Sequence, residues 1–242
     1  MKDARIFSFA LGNIWRWDPS ENRNSLIDYI RALDISGVEL TLASRQDIHS
    51  FKLSGKNERW LKTLDYVSIH APFGLFKDSE NEEDVFHQID CIRKLYHQIG
   101  AKGVVIHPEP ELLQSDILNE FDIKFSIENL PRKSNVPLSC IRKILRRYPR
   151  MDLCLDTSHA YSWSKYEAGK LIHNFEERIS QIHFSGSYRR KQHGSLRKVS
   201  QNFLFSIQPV KHLGVPVVIE EDMEQQSLNY MRDELDYIKR LF

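Results

Sequence analysis

The chain has 242 residues, 41% of them hydrophobic and 28% charged, with a formal net charge of +1. That is the composition of an ordinary soluble globular protein, long enough for one large domain. No apolar run approaches the roughly 20 residues that span a bilayer, so no membrane association is expected. A charge so close to zero does not by itself call for nucleic acid. The short apolar run near the N-terminus lacks a small-residue cleavage site, so no signal peptide is expected. The three cysteines, Cys91, Cys140 and Cys154, are widely spaced among apolar residues. They read as buried thiols of a reducing, cytoplasmic compartment rather than as a cysteine metal site.

Short apolar runs recur along the chain at residues 5–11, 37–42, 66–72, 103–108, 124–130, 151–156, 180–186 and 215–221. They are continuous rather than alternating, as parallel strands covered on both faces are. Between them lie segments with helical period. Leu26, Tyr29, Ile30 and Leu33 share one face, and so do Val85, Phe86, Ile89, Ile92, Leu95, Tyr96 and Ile99, a stripe that Gly100 should end. Further helical patterns follow the fifth to eighth runs. The links at 54–65 and 109–121 are weaker. Eight strand–helix units in this length give the count of a single (β/α)8 TIM barrel spanning residues 1–242. No linker or low-complexity segment divides the chain.

In such a barrel the active site forms at the C-terminal ends of the strands. The third run ends in His70 and the fourth in His107. The fifth delivers Glu128, the sixth Asp156 with His159 just beyond, the seventh His183 and the eighth Glu220. Six consecutive strands thus bring an imidazole or a carboxylate to one rim. Nitrogen and carboxylate oxygen without sulfur suit a divalent ion such as Zn2+ or Mn2+. Without a cation, such a crowd of carboxylates would carry a heavy desolvation and repulsion cost. His49, His87, His97, His173 and His212 fit no such pattern and read as surface or core residues. Glu39 reads as a solvated residue or a structural pair.

The set "SIHAP", "VIHPE", "SIENLP", "CLDTSHA", "QIHFS" and "VVIEED" resembles the endonuclease IV and xylose-isomerase-like barrel superfamily, AP endonuclease family 2 among its members. The resemblance runs from the third strand to the eighth and keeps the family's order. In endonuclease IV, it implies, His70, His107 and Glu128 hold one zinc. Glu128, Asp156, His183 and Glu220 hold a second, with Glu128 bridging. His159 matches a ligand of a third zinc, which the family completes with an Asp-x-His pair. Here His193 supplies the histidine, but Lys191 stands where the aspartate should be, so two ions are expected. The superfamily's sugar isomerases and epimerases use one metal on Glu128, Asp156, His183 and Glu220, with Glu128 and Glu220 also moving a proton.

The stretch "SYRRKQHGSLRK" after the seventh strand adds Arg189, Arg190 and Lys191 as candidate phosphate contacts, because barrel enzymes often bind phosphate there. Trp15, Arg16 and Trp17 stand at the same rim. The expectation is a metal-dependent hydrolase that cleaves phosphodiesters, in abasic-site DNA or a related phosphate ester. The alternative is a one-metal sugar or sugar-phosphate isomerase or epimerase.

Overall fold

The computed structural model describes residues 5–17, 22–189 and 191–242. The barrel strands are β1 (Phe7–Ala10), β2 (Gly37–Thr41), β3 (Tyr66–His70), β4 (Gly103–Ile106), β5 (Phe125–Glu128), β6 (Asp152–Asp156) and β7 (Ile179–Phe184). A hairpin of β8 (Gly186–Tyr188) and β9 (Lys191–Gly194) precedes the last barrel strand, β10 (Val217–Ile219). Strands β1 to β7 and β10 close into one barrel, each parallel to its neighbours, with β10 sealing β7 to β1. This is the expected (β/α)8 barrel. Its strands are mainly apolar because helices cover the outer face and side chains fill the inner one.

Outside the barrel lie α1 (Arg23–Ile30), α2 (Arg45–Ser50), α3 (Gly55–Leu61), α4 (Glu82–Ile99), α5 (Leu138–Arg147), α6 (Thr157–Trp163), α7 (Glu167–Phe175), α8 (Gln201–Ser206) and α9 (Leu228–Leu241). Helix α4 buries Val85, Ile89, Ile92 and Ile99, and Gly100 ends it at φ 67°. A left-handed residue is cheap only for glycine, which is why the stop falls there. The two weak links resolve differently. The first holds the short helix α3, and the second holds only 3-10 turns at Pro110–Leu113 and Ile117–Glu120.

Some expected positions shift. Helix α1 ends at Ile30, and its buried face carries Ile27 while Tyr29 is exposed. Phe86 also lies outside the buried stripe, its ring against Phe121. Of the three cysteines only Cys154 is buried; Cys91 and Cys140 are half-buried. Among the described residues no helix is long and apolar enough to cross a membrane.

Candidate metal centre

The strand register gathers the predicted ligands at one end of the barrel. His70, Glu128 and Asp156 are the last residues of β3, β5 and β6, and Asp156 lies beside His183 across the β6–β7 pair. His107 and Glu220 follow β4 and β10 by one residue. His159 arrives by another route. Asp156 caps α6 and accepts the His159 backbone N–H at 2.5 Å. One helical turn therefore carries His159 back over the rim. His193 comes from β9, has a φ of 52° and lines the cavity. Six of these, His70, His107, Glu128, His159, His193 and Glu220, line a single cavity of about 210 Å³. Asp156 and His183 are fully buried behind it.

Glu128 is the hub. Its Oε1 lies 3.1 Å from His183 Nδ1 and 3.5 Å from His159 Nδ1. Its Oε2 lies 2.9 Å from His107 Nε2 and 3.6 Å from His70 Nε2. Each oxygen of one carboxylate thus serves a different set of histidines.

Outer contacts decide which ring nitrogen faces inward. His70, His159 and His193 set their Nδ1 against the carbonyls of Ala71, Asn129 and Glu220, at 2.9, 3.0 and 3.1 Å. A carbonyl only accepts, so each Nδ1 carries a proton and each Nε2 is the nitrogen that can offer a lone pair to the site in the neutral ring. His159 Nε2 and His193 Nε2 stand 3.1 Å apart. That approaches the spacing of two nitrogens on one tetrahedral ion, about 3.3 Å for Zn–N bonds of about 2.0–2.1 Å. His183 is turned the other way. Its Nε2 meets Glu39 at 3.2 Å, and its Nδ1 faces Glu128 and Glu220.

The electrostatics describe a centre that lacks positive charge. Burial pushes the Glu128 carboxyl up, but the imidazoles of His107, His183 and His70 outweigh it and hold it well below the usual range. Burial likewise opposes ionisation of Glu220, yet His183 and His193 bring it down to about 2. Burial alone would lower His70, but Glu128, Glu39 and Glu220 raise it to about 9. Asp156 is raised, because burial dominates over its two histidines. Protons on imidazoles here do the neutralising that a cation would do.

The donor set fits divalent ions. At this end of the barrel, two groups among the described residues have ligand atoms within 4.8 Å of one another: His70, Glu128, His183 and Glu220, and Asp156, His159 and His193. Asp156 Oδ2 is buried without a hydrogen-bond partner, an orphan that a cation would satisfy. All the donors are nitrogen or oxygen.

The basic hairpin differs from expectation. Lys191 Nζ turns to Glu224 at 3.8 Å and does not reach the cavity. Lys198 also pairs with Glu224, and Arg197 with the buried Glu234 at 2.6 Å. Of the hairpin's described cations, Lys191 is therefore turned away from the cavity. Arg189 is exposed and lines a separate shallow cleft with Tyr161 and Ser162. Arg190 lies outside the described residues. At the rim after β1, Trp17 packs edge-on against Tyr29, while Trp15 is exposed with Arg16 over its ring.

One of the two readings of Glu39 holds, and Phe73 escaped the sequence reading. Glu39 is fully buried inside β2 and receives Ser68 Oγ and the Gln181 amide, each at 2.8 Å, besides His183. It is therefore a structural pair and not a solvated residue. The signal was present, since "GVELTL" sets one acid inside an apolar run. Phe73 is 71% exposed, lines the cavity mouth and stacks on the His107 ring at 3.7 Å.

Comparison with solved structures finds the same architecture. Endonuclease IV from Thermus thermophilus superposes with a TM-score of 0.70 at 16% identity, covering 98% of each chain. The chain has the barrel fold of endonuclease IV and of the sugar epimerases. A D-tagatose 3-epimerase-like protein gives 0.69 at 18% identity over 98% of this chain and 96% of its own. The 3-keto-D-glucoside 4-epimerase from E. coli gives 0.66 at 13% identity over 98% of this chain and 100% of its own. No family model matches the sequence. No curated protein matches it either.

Proposed function

We propose that this protein is a divalent-metal-dependent hydrolase of phosphate esters, with phosphodiesters such as abasic-site DNA as its substrate class. The observation that carries this reading is the divided use of Glu128: Oε1 faces His183 and Oε2 faces His107. A carboxylate so placed can bridge two ions. His70 and His107 would hold one with it, and Asp156, His183 and Glu220 would hold the other. Asp156, His159 and His193 form a further group able to hold an ion despite the lysine at 191. Zn2+ suits these donors, and Mn2+ is also accommodated. When bound, such ions supply Lewis-acid stabilisation of phosphate oxygens and acidify water. The chain's own part is to hold its imidazoles in the right tautomer, to keep Glu128 and Glu220 ionised, and to exclude bulk water from a small cavity. A solved neighbour of the same fold is an endonuclease IV, which is consistent with this assignment.

A one-metal isomerase or epimerase is the second reading, and the size of the cavity favours it. About 210 Å³ suits a sugar better than a duplex, and Lys191 is turned to Glu224, away from the cavity. In that reading Glu128 and Glu220, which both face His183 Nδ1, form the acid–base pair.

One experiment separates them. Metal-loaded protein is offered an abasic-site duplex and, separately, a ketose phosphate in deuterated water. The hydrolase nicks the duplex, loses that activity to chelator, and loses metal from both sides of the bridge in Glu128→Gln. An intact duplex together with deuterium in the sugar would overturn the first reading and establish the second.

A further inference from the structure

A third cluster of side chains able to ligate a metal lies outside the barrel. His87 and Cys91 are one turn apart on α4, so they project from the same face of the helix. His49, on α2, stands opposite them. Its Nδ1 is 3.9 Å from Cys91 Sγ, and its ring stacks on that of His87 with centroids 5.2 Å apart and planes inclined by 18°. One ligand atom from each residue lies within 4.8 Å of the other two. The two helices are already aligned by other contacts. Arg45 on α2 pairs with Asp84 on α4 and donates to the Asp78 carbonyl at 2.8 Å.

We propose that His49, His87 and Cys91 form a surface site for a borderline-soft transition-metal ion, Zn2+ foremost, that clips α2 to α4. Two imidazoles and a thiolate are three of the four donors of a tetrahedral zinc site, and solvent is free to supply the fourth. Ligands on one such ion stand roughly 3.3–3.6 Å apart, given Zn–N of about 2.0–2.1 Å and Zn–S of about 2.3 Å. The exposed His49 and His87 side chains reach that spacing around the half-buried Cys91 by small rotations. On binding, Cys91 releases its thiol proton to solvent and its sulfur donates a lone pair. No electron changes hands. The thiolate distinguishes this site from the nitrogen-and-oxygen set in the barrel, because sulfur favours zinc and its softer neighbours over Mn2+ or Mg2+. The clip would also bear on the cavity. Helix α2 begins three residues after Leu42, and both Leu42 and Ala43 line the cavity mouth. An ion between α2 and α4 would hold that segment against the helix that follows β3.

The test uses the full chain, stripped of metal and titrated with Co2+ alone. A near-ultraviolet thiolate-to-cobalt charge-transfer band is expected. Cys91→Ala should abolish it, and His49→Ala and His87→Ala should weaken it. Glu128→Gln should leave it intact, which separates this site from the barrel centre whatever the barrel's function. In parallel, Zn2+ should slow alkylation of Cys91 by iodoacetamide and leave Cys140 unprotected. Absence of the band at saturating Co2+, or a band that survives Cys91→Ala, would overturn the proposal. So would equal alkylation of Cys91 with and without Zn2+.

Discussion

Nε2 of His183 lies 3.2 Å from Oε1 of Glu39, and neither side chain is accessible to solvent. Glu39 and the Gln181 amide nitrogen, 2.9 Å from the same atom, together hold the ring from behind with its inner nitrogen toward Glu128 and Glu220. Glu39→Gln keeps the volume and removes the charge. Its amide can donate to His183 Nε2 and favour the wrong tautomer. Metal affinity should fall by about 10–100-fold, as for other outer-sphere partners of metal-bound histidines. A zinc titration against a competing chelator measures this, with circular dichroism to confirm the fold. Unchanged affinity would leave Glu39 as a packing residue.

Metal binding should depend on pH over an unusually high range. His70 in the metal-free protein is raised to about 9, because Glu128, Glu39 and Glu220 outweigh the effect of burial. A raised imidazole holds its proton more tightly than in the unfolded chain. It therefore stabilises the metal-free fold fully below the ordinary 6.5, and that contribution is lost as pH rises through about 9. The same proton competes with metal. Zinc affinity should thus keep climbing to about pH 9 instead of levelling near the ordinary histidine value. Calorimetric titrations at a series of pH values test this, and a plateau beginning at neutral pH would contradict it.

The barrel and its ligand ring were legible in the sequence because both rest on local pattern. Eight continuous apolar runs mark strands covered on both faces, and a polar residue at the end of such a run has only the rim to occupy. His70, Glu128, Asp156 and His183 follow directly from that. Other features depend on partners distant in sequence. Glu39 looks isolated in "GVELTL", and only barrel closure brings Gln181 and His183, 142 and 144 residues away, against it. Lys191 looked like a free cation, and its partner Glu224 lies beyond β10. The β8–β9 hairpin was invisible because "SYRRKQHG" carries no alternation of apolar and polar residues. The pairing of His49 with Cys91 arises from helix packing, 42 residues apart.

Phe73 offers a way to separate substrate contact from metal binding. Its ring lies nearly parallel to that of His107, inclined by 19°, and its outer face is open at the cavity mouth. A planar sugar face or base could stack there. Phe73→Ala should leave metal content unchanged and raise KM for the true substrate by about fivefold, the equivalent of about 1 kcal/mol of aromatic contact. Metal analysis beside steady-state kinetics reads both. Loss of metal with unchanged KM would instead make the ring a support for His107.

The pair of buried carboxyls beneath the hairpin predicts a stability change of defined sign. Glu221 is fully buried, and neither of its carboxyl oxygens has a hydrogen-bond partner. Glu234 is also fully buried, and its Oε1 is taken by Ser195 and Arg197. Burial, reinforced by the neighbouring Glu234 charge, pushes Glu221 from the ordinary 4.5 up to about 9. The folded protein therefore keeps this proton where the unfolded chain has lost it. Stability from this group is fully present below 4.5 and is lost as pH rises toward 9. The slope is at most about 1.4 kcal/mol per pH unit, the value for one proton. Glu221→Gln mimics the protonated form permanently. In the presence of chelator, which removes any contribution from metal on Glu220, the variant and the parent should melt at similar temperatures near pH 5. The variant should gain progressively as pH rises to about 8.5, because only the parent carries the cost of a buried proton acceptor. Thermal melts across that range decide the matter. A constant difference in melting temperature at every pH would mean that Glu221 is ionised in the fold and that its charge is met by a partner other than a proton.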